Sequence, residues 1–248
     1  MIKITSKTNE RIKSLKKLLE DKAFRYEQKE FAVEGLRALE DIKDVSELFV
    51  REDVQPPEIA AKKIYEVAKS VFESVSSTEN SQGIMAVTGM NVLGAEDISK
   101  DSKYVLLDRL QDPGNMGTII RTACAFGFKG IMITPGCVDP FSPKVVRACA
   151  SALWKIDIIN IEGVEELKEL PIIAAGLEGA DATDFKWPTG FALAIGNEAR
   201  GLSDEILNAS KEKVSIPTAS GINSLNAAVS AGILMFCSQK QLDKTRSR

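Results

Sequence analysis

The 248-residue sequence contains no histidine. That absence removes the commonest general base, and with it the Ser-His-Asp and Cys-His nucleophile systems. Any chemistry must therefore run on Arg, Lys, Asp, Glu, Asn, Ser or a cofactor. The four cysteines, Cys124, Cys137, Cys149 and Cys237, include no C-x-x-C pair and are too few to frame a chain this long. Without histidine a metal site is not expected either. They read as reduced, mostly buried thiols of a cytoplasmic protein. No apolar run approaches the ~18 residues of a membrane span, so no membrane association is expected. Residues 1–17 are charged and lack a signal-peptide core, so secretion by that route is not expected. What is there is ordinary for a globular chain: 44% hydrophobic and 27% charged residues. At ~150 residues per domain the length suits one large domain or two compact ones.

Charge is unevenly distributed. Residues 1–25 hold eight Lys/Arg, among them Lys7, Arg11 and Lys13, against three acids, a net of +5 inside a chain of net −3. Residues 240–248 are basic again, with four cations and one Asp. A basic arm on an acidic body suits either a polyanion contact, such as nucleic acid, or a solvated helix face.

Helical spacing of Ile12, Leu15, Leu18 and Leu19, with Thr8 or Asn9 as cap, predicts a first helix. Strand-like pieces at 31–33, 48–50, 63–67 and 84–87, with helical stretches between, predict an α/β module over residues 1–92. Residues 93–103 are polar and read as a linker. Residues 104–248 carry buried-strand signals at 104–107, 130–133, 156–159, 172–175, 191–195 and 214–216, and a last helix from about 224 to 239. Strands alternating with helices imply a mostly parallel sheet covered on both faces.

Ligands of such sheets collect beyond the carboxyl ends of the strands. Three loops there are unusual. In the first, residues 107–117, Pro113-Gly114 turns into a helix with Asn115 placed as cap, and Arg121 follows inside an otherwise apolar segment, where a guanidinium needs a partner. In the second, Gly196-Asn197-Glu198-Ala199-Arg200-Gly201 follows an apolar strand, and its plain alternative is a surface turn with a Glu198–Arg200 pair. Gly196 would let the backbone bend and approach a ligand. The third, residues 216–226, ends in Ser224-Leu225-Asn226 before a helix rich in Ala and Gly; Ser224 and Asn226 can equally be simple caps. No P-loop or G-x-G-x-x-G fingerprint is present.

Singly these loops are weak signals. Together, Asn115-x5-Arg121, Gly196-Asn197-Glu198-x-x-Gly201-Leu202 and Ile216-Pro217 with Ser224-Leu225-Asn226 closely resemble the three motifs of the SpoU-type (TrmH-like) RNA ribose methyltransferases of the SPOUT superfamily. The segment from Phe141 to Ala148, with Arg147, looks like the stretch between the family's first two motifs. Phe31-x-Val33-Glu34-Gly35 and Ser77-Thr78-x5-Gly83-Ile84 resemble the small substrate-binding module often fused ahead of these enzymes, a ribosomal-protein-like fold. Thr218, Ser220, Ala227, Cys149 and Ser151 depart from the family pattern, which bears on pocket dimensions and target choice.

The resemblance implies an α/β catalytic domain whose C-terminal segment is threaded into a deep trefoil knot, an exception to the rule against threaded connections. It implies S-adenosylmethionine as cofactor, against Ile195, Gly196, Ile216, Leu225 and Asn226. It implies a homodimer formed through the catalytic domain, and methyl transfer to a ribose 2′-hydroxyl of RNA. Asn115, Arg121, Glu198, Ser224 and Asn226 would be catalytic. Lys7, Arg11, Lys13, Arg121, Arg147 and Arg200 would contact RNA, ribosomal RNA being preferred over transfer RNA. A non-catalytic RNA-binding ribosome assembly factor on the same fold is the rival from another class.

Overall fold

The structure is a computed structural model and describes residues 1–78, 80–167, 170–219 and 225–246, with side chains to residue 241. In chain order the elements are β1 (Ile2–Ile4), α1 (Glu10–Glu20), α2 (Lys22–Gln28), β2 (Glu30–Glu34), α3 (Leu36–Leu39), β3 (Val45–Arg51), β4 (Ala61–Val67), α4 (Lys69–Glu73) and β5 (Ile84–Gly89). There follow β6 (Val92–Leu93), β7 (Lys103–Leu107), α5 (Pro113–Ala125), β8 (Gly130–Ile133), α6 (Pro143–Cys149), β9 (Asp157–Asn160), β10 (Ile172–Asp181), β11 (Phe191–Ile195), α7 (Asp204–Ala209), β12 (Glu212–Ser215) and α8 (Ala227–Arg246). They form two compact units, Met1–Asn91 with Asp139–Trp154, and Val92–Val138 with Lys155–Arg248.

The first unit is built on a five-stranded sheet of order β1-β4-β3-β5-β2, in which β1, β4 and β3 run parallel and β5 pairs antiparallel with β3 and β2. Asn9 caps α1 by accepting the Arg11 N–H at 2.9 Å. Ile12, Leu15, Leu18 and Leu19 then face Ala32, Phe49, Tyr65 and Met85 of the sheet, as the helical spacing predicts. β2 is buried nearly along its length, so its second face needs cover too. Residues 139–154 supply it. Phe31 packs on Phe141 at 4.9 Å between ring centroids and stacks on Trp154 at 5.6 Å, and Trp154 Nε1 donates to Ala38 O.

A buried ion pair fixes that segment. Arg25 Nη2 lies 2.6 Å and Nε 2.8 Å from Asp139 Oδ2, while Nη1 donates to Leu18 O. Asp139 Oδ1 accepts the Phe141 N–H. Residues 139–154 had been expected with residues 104–248. They group with the N-terminal unit because these polar and aromatic contacts satisfy them there. The expected linker differs as well, since its edge carries strand: β6 pairs in parallel with β9.

The second unit is a seven-stranded sheet of order β12-β10-β11-β7-β8-β9-β6, with every pairing parallel. β7, β8 and β9 step away to one side of β7; β11, β10 and β12 lie on the other. The strand order therefore reverses between β7 and β11. In open parallel sheets such a reversal opens a crevice beyond the carboxyl ends of the strands, and the loops after β7 and β11 border it. No described helix is long and apolar enough to cross a membrane.

Removing one partner of a buried ion pair strands the other charge, at a cost of roughly 3–5 kcal/mol. Asp139→Asn is expected to destabilise the first unit by about 3 kcal/mol. The measurement is urea unfolding followed by Trp154 fluorescence in a Trp187→Phe background. An unchanged midpoint would show that apolar cover alone holds residues 139–154.

Candidate active site

Asp112, not Asn115, is the N-cap of α5: its Oδ1 accepts the Asn115 N–H at 2.7 Å, and Pro113 follows where no N–H is required. Asn115 falls inside the first turn, and its side chain is left to bond sideways. Its Nδ2 donates to Glu198 Oε1 at 3.0 Å, and its Oδ1 accepts from Asn226 Nδ2 at 2.9 Å. Asn226 Oδ1 in turn accepts the Ala228 and Val229 N–H groups, capping α8. Residues from all three loops thus join one hydrogen-bond chain. Its polarity is forced: the carboxylate can only accept and the helix N–H groups can only donate, so both amides must be oriented as they are.

Glu198 also accepts the Asp112 N–H at 3.3 Å. Desolvation pushes its carboxyl upward, but the Asn115 side chain and the backbone N–H groups of Glu198, Asp112 and Gln111 outweigh it and hold the group below its ordinary 4.5. Glu198 is thus a carboxylate at neutral pH, turned to Asn115 rather than to Arg200.

The loop carrying Glu198 is closed by Asn197, which sequence reasoning passed over. Asn197 and Gly201 exchange backbone hydrogen bonds at 3.0 and 2.9 Å. The Asn197 Oδ1 accepts the Ala199 and Arg200 N–H groups, and its Nδ2 reaches Arg109 O. Gly196 is required for this closure, because a Cβ there would collide with the Gly201 and Leu202 backbone. Gly201 takes φ +68°, a region open to glycine. Buried Asp108 steadies the far end, its Oδ2 accepting the Ser203 N–H at 2.6 Å.

A cavity of about 700 Å³ lies against these loops. Ile195, Gly196, Ile216, Leu225 and Asn226 all line it, with Glu198 and Arg200. So does Ala175-Gly176-Leu177, which the sequence reading missed; its one available signal was its place at the end of a buried strand. Size and lining, apolar walls with a few polar groups, are those of a small-molecule site. Ser224 lies outside the described residues. Burial pushes the Cys149 thiol up to about 12, so it packs rather than reacts. Among the described residues no cluster of His, Cys, Asp and Glu could hold a metal ion.

Arg121 is not buried among apolar neighbours. Ile119, Ile120 and Ala123 are buried, and Arg121 falls with Thr118 and Ala125 on the exposed side of α5. It needs no protein partner there and does not line the cavity. In the first unit, Lys7 is exposed, whereas Arg11 is 3.3 Å from Glu47 and Lys13 is 2.7 Å from Glu10.

The model of the SpoU rRNA methylase family matches residues 102–236. The chain belongs to the SpoU rRNA methylase family. As a member it is an S-adenosylmethionine-dependent RNA methyltransferase. An MRM3-like substrate binding domain matches residues 9–86. Over 95% of this chain and 98% of its own length, the 23S rRNA (guanosine(2553)-2′-O)-methyltransferase RlmP of Bacillus subtilis is 32% identical. An uncharacterised tRNA/rRNA methyltransferase of Synechocystis is 31% identical over 96% of this chain and 93% of its own. The fold is similar to that of the SpoU methyltransferase AviRb from Streptomyces viridochromogenes in complex with AdoMet, at TM-score 0.85, 25% identity and coverage of 95% and 98%. An AdoMet-bound rRNA methyltransferase from Sinorhizobium meliloti superposes at TM-score 0.83 with 28% identity, covering 97% of this chain and 98% of its own. The SpoU cofactor fits the cavity on chemical grounds: Ile195, Ile216 and Leu225 suit an adenine, and Asn226 and backbone groups suit a polar end.

Two outcomes check this geometry. Gly196→Ala is expected to abolish S-adenosylmethionine binding in calorimetry while the far-ultraviolet spectrum stays unchanged; normal affinity would contradict the loop-closure argument. Carbon-13 NMR of the Glu198 carboxyl is expected to report titration below 4.5. Because the shift is downward, the network persists as pH falls past that value and is lost only through the lowered one. Titration above 4.5 would contradict the hydrogen-bond assignment.

Proposed function

We propose that this chain transfers a methyl group from S-adenosylmethionine to the 2′-hydroxyl of a ribose in structured RNA, ribosomal RNA in preference to transfer RNA. The observation that carries the reading is the Glu198–Asn115–Asn226 chain at the cavity. It joins the three loops whose residues the chemistry needs. The ribosomal preference is supported by the Bacillus subtilis relative, named for 2′-O-methylation of 23S rRNA and aligned over nearly its whole length.

When bound, the cofactor supplies an electrophilic sulfonium methyl, which leaves the protein to orient and activate a weakly acidic hydroxyl. Ile195, Gly196, Ile216, Leu225 and Asn226 would hold the cofactor. Asn115, Ser224 and Asn226 would hold the ribose and the cofactor's carboxylate by hydrogen bonds. With no histidine, activation falls to Arg121. A guanidinium does not give up its proton at neutral pH, so Arg121 grips a phosphate and lowers the hydroxyl's pKa electrostatically. Glu198 orients Asn115, to which it is hydrogen-bonded, rather than Arg121 or Arg200.

An exposed Arg121 acts only where RNA or a second chain covers it, and a homodimer through the catalytic domain provides that cover. Contacts at 115–226, 122–232 and 126–236 rise together along α5 and α8, so the two helices run parallel. α8 leaves Val229, Ile233 and Phe236 exposed at 51, 37 and 51%. That apolar stripe at helical spacing suits a second copy. The reading extends to the deep trefoil knot beyond β12 and to a cytoplasmic site of action. It extends also to residues 1–92 as the ribosomal-protein-like RNA-recognising domain, with Lys7, Arg11, Lys13 and Arg147 as RNA contacts.

The test is methyl incorporation from labelled S-adenosylmethionine into RNA of a strain lacking the gene, fractionated into rRNA and tRNA. Label in rRNA is expected; label in tRNA alone would move the substrate class. Bound cofactor without label in either fraction would favour the assembly-factor reading. Arg121→Ala is expected to cut turnover to about one-thousandth or less with cofactor affinity nearly intact; near-normal turnover would sink the assignment.

A further inference from the structure

Half of the eight cations of the basic arm, residues 1–25, are engaged by the protein's own glutamates. Lys3, Arg11, Lys13 and Lys16 each lie within 3.8 Å of a glutamate oxygen. Arg147 on α6 differs. Its Nη1 donates to Ser77 Oγ at 2.7 Å, and its other four N–H donors meet no acceptor among the described residues. Ser77 is exposed, whereas Arg147 is half-buried. Lys144 stands exposed one turn earlier on α6.

Ser77 is itself held from behind. Glu34, only 6% exposed at the end of β2, accepts both the Ser77 hydroxyl at 3.1 Å and the Ser77 N–H at 3.2 Å on Oε2. Its Oε1 accepts the hydroxyls of Ser76, Thr78 and Ser81 at 2.5, 2.8 and 2.7 Å. A buried carboxylate that collects five donors is a fixed point for the loop. With its proton committed to Glu34, the Ser77 hydroxyl can only accept toward Arg147, which sets the direction of the guanidinium. A fork so oriented, with its remaining donors unused, is preorganised for a phosphate.

We propose that Glu34 and Ser77 are positioning residues that aim the Arg147 guanidinium at an RNA phosphate, making residues 76–78, Ser81 and α6 one substrate-anchoring element of the N-terminal unit. This rests on the RNA-methyltransferase reading above. It predicts binding energy of the kind that depends on salt, because each phosphate neutralised releases a condensed counterion.

The experiment uses the full chain and unmodified 23S rRNA from a strain lacking the gene, with filter binding across a KCl series and steady-state methyl transfer. Arg147→Ala is expected to weaken binding about tenfold and to flatten the slope of log K against log salt by ~0.7–0.9, one phosphate. It should raise KM for RNA and leave cofactor affinity in place. Ser77→Ala is expected to weaken binding about threefold, Ser77→Thr to restore it, and Ser77→Ala/Arg147→Ala to match Arg147→Ala alone. Glu34→Gln should follow Ser77→Ala if it folds; if it does not, the serine variants decide. Unchanged affinity in Arg147→Ala, or strict additivity in the double variant, overturns the proposal while wild-type methylation keeps the functional reading intact. Weaker binding with an unchanged salt slope overturns the phosphate assignment. Wild-type protein that neither binds nor methylates the rRNA overturns the functional reading and this inference with it.

Discussion

Because Glu198 accepts from Asn115 and Asp112 while Asn115 accepts from Asn226, the loops after β7, β11 and β12 share one hydrogen-bond chain of fixed polarity. A carboxylate terminates it at one end and the N-terminus of α8 at the other. No amide in it can turn over without breaking two bonds at once. The orientation of the site therefore depends on the charge of Glu198, which its hydrogen bonds preserve at neutral pH. The parallel sheet supplies the setting, by bringing the carboxyl ends of β7 and β11 side by side where the strand order reverses.

Much of this was legible in the chain because it was local. The helix over residues 10–20, the buried strands β7 and β11 and the three polar loops are all written as periodicity or as turn chemistry within a few residues. Convergence of those loops was legible only through likeness of motif, since nothing local says that residues 115, 198 and 226 meet. Roles within loops were harder still. Asn115 and Asp112 are both plausible caps by type, and only the backbone geometry decides between them. Asn197 and Gly196 border the cavity and also hold the loop to itself, which no local pattern announces.

Arg121 and residues 139–154 are placed by contacts that are not local. Arg121 looked buried because its sequence neighbours are apolar, yet at 100° per residue the neighbours of a helical side chain lie three and four positions away. Residues 139–154 lie within the stretch that the SpoU family model matches, yet they pack with the first unit. Their packing is set instead by tertiary demand, the uncovered face of β2 and the charge of Arg25. Neither demand is local, and neither could be seen without partners in space.

The central claim is that the polarity of the Glu198–Asn115–Asn226 chain organises the site. The most direct measurement compares turnover of Asn115→Asp with that of Asn115→Asp/Glu198→Gln. The single variant sets two carboxylates against each other, whereas the double variant lets the amide at 198 donate to the carboxylate at 115 and restores the link with reversed ends. The expected result is that adding Glu198→Gln raises turnover of Asn115→Asp by roughly tenfold. A double variant slower than either single change, with the losses adding, would contradict the account.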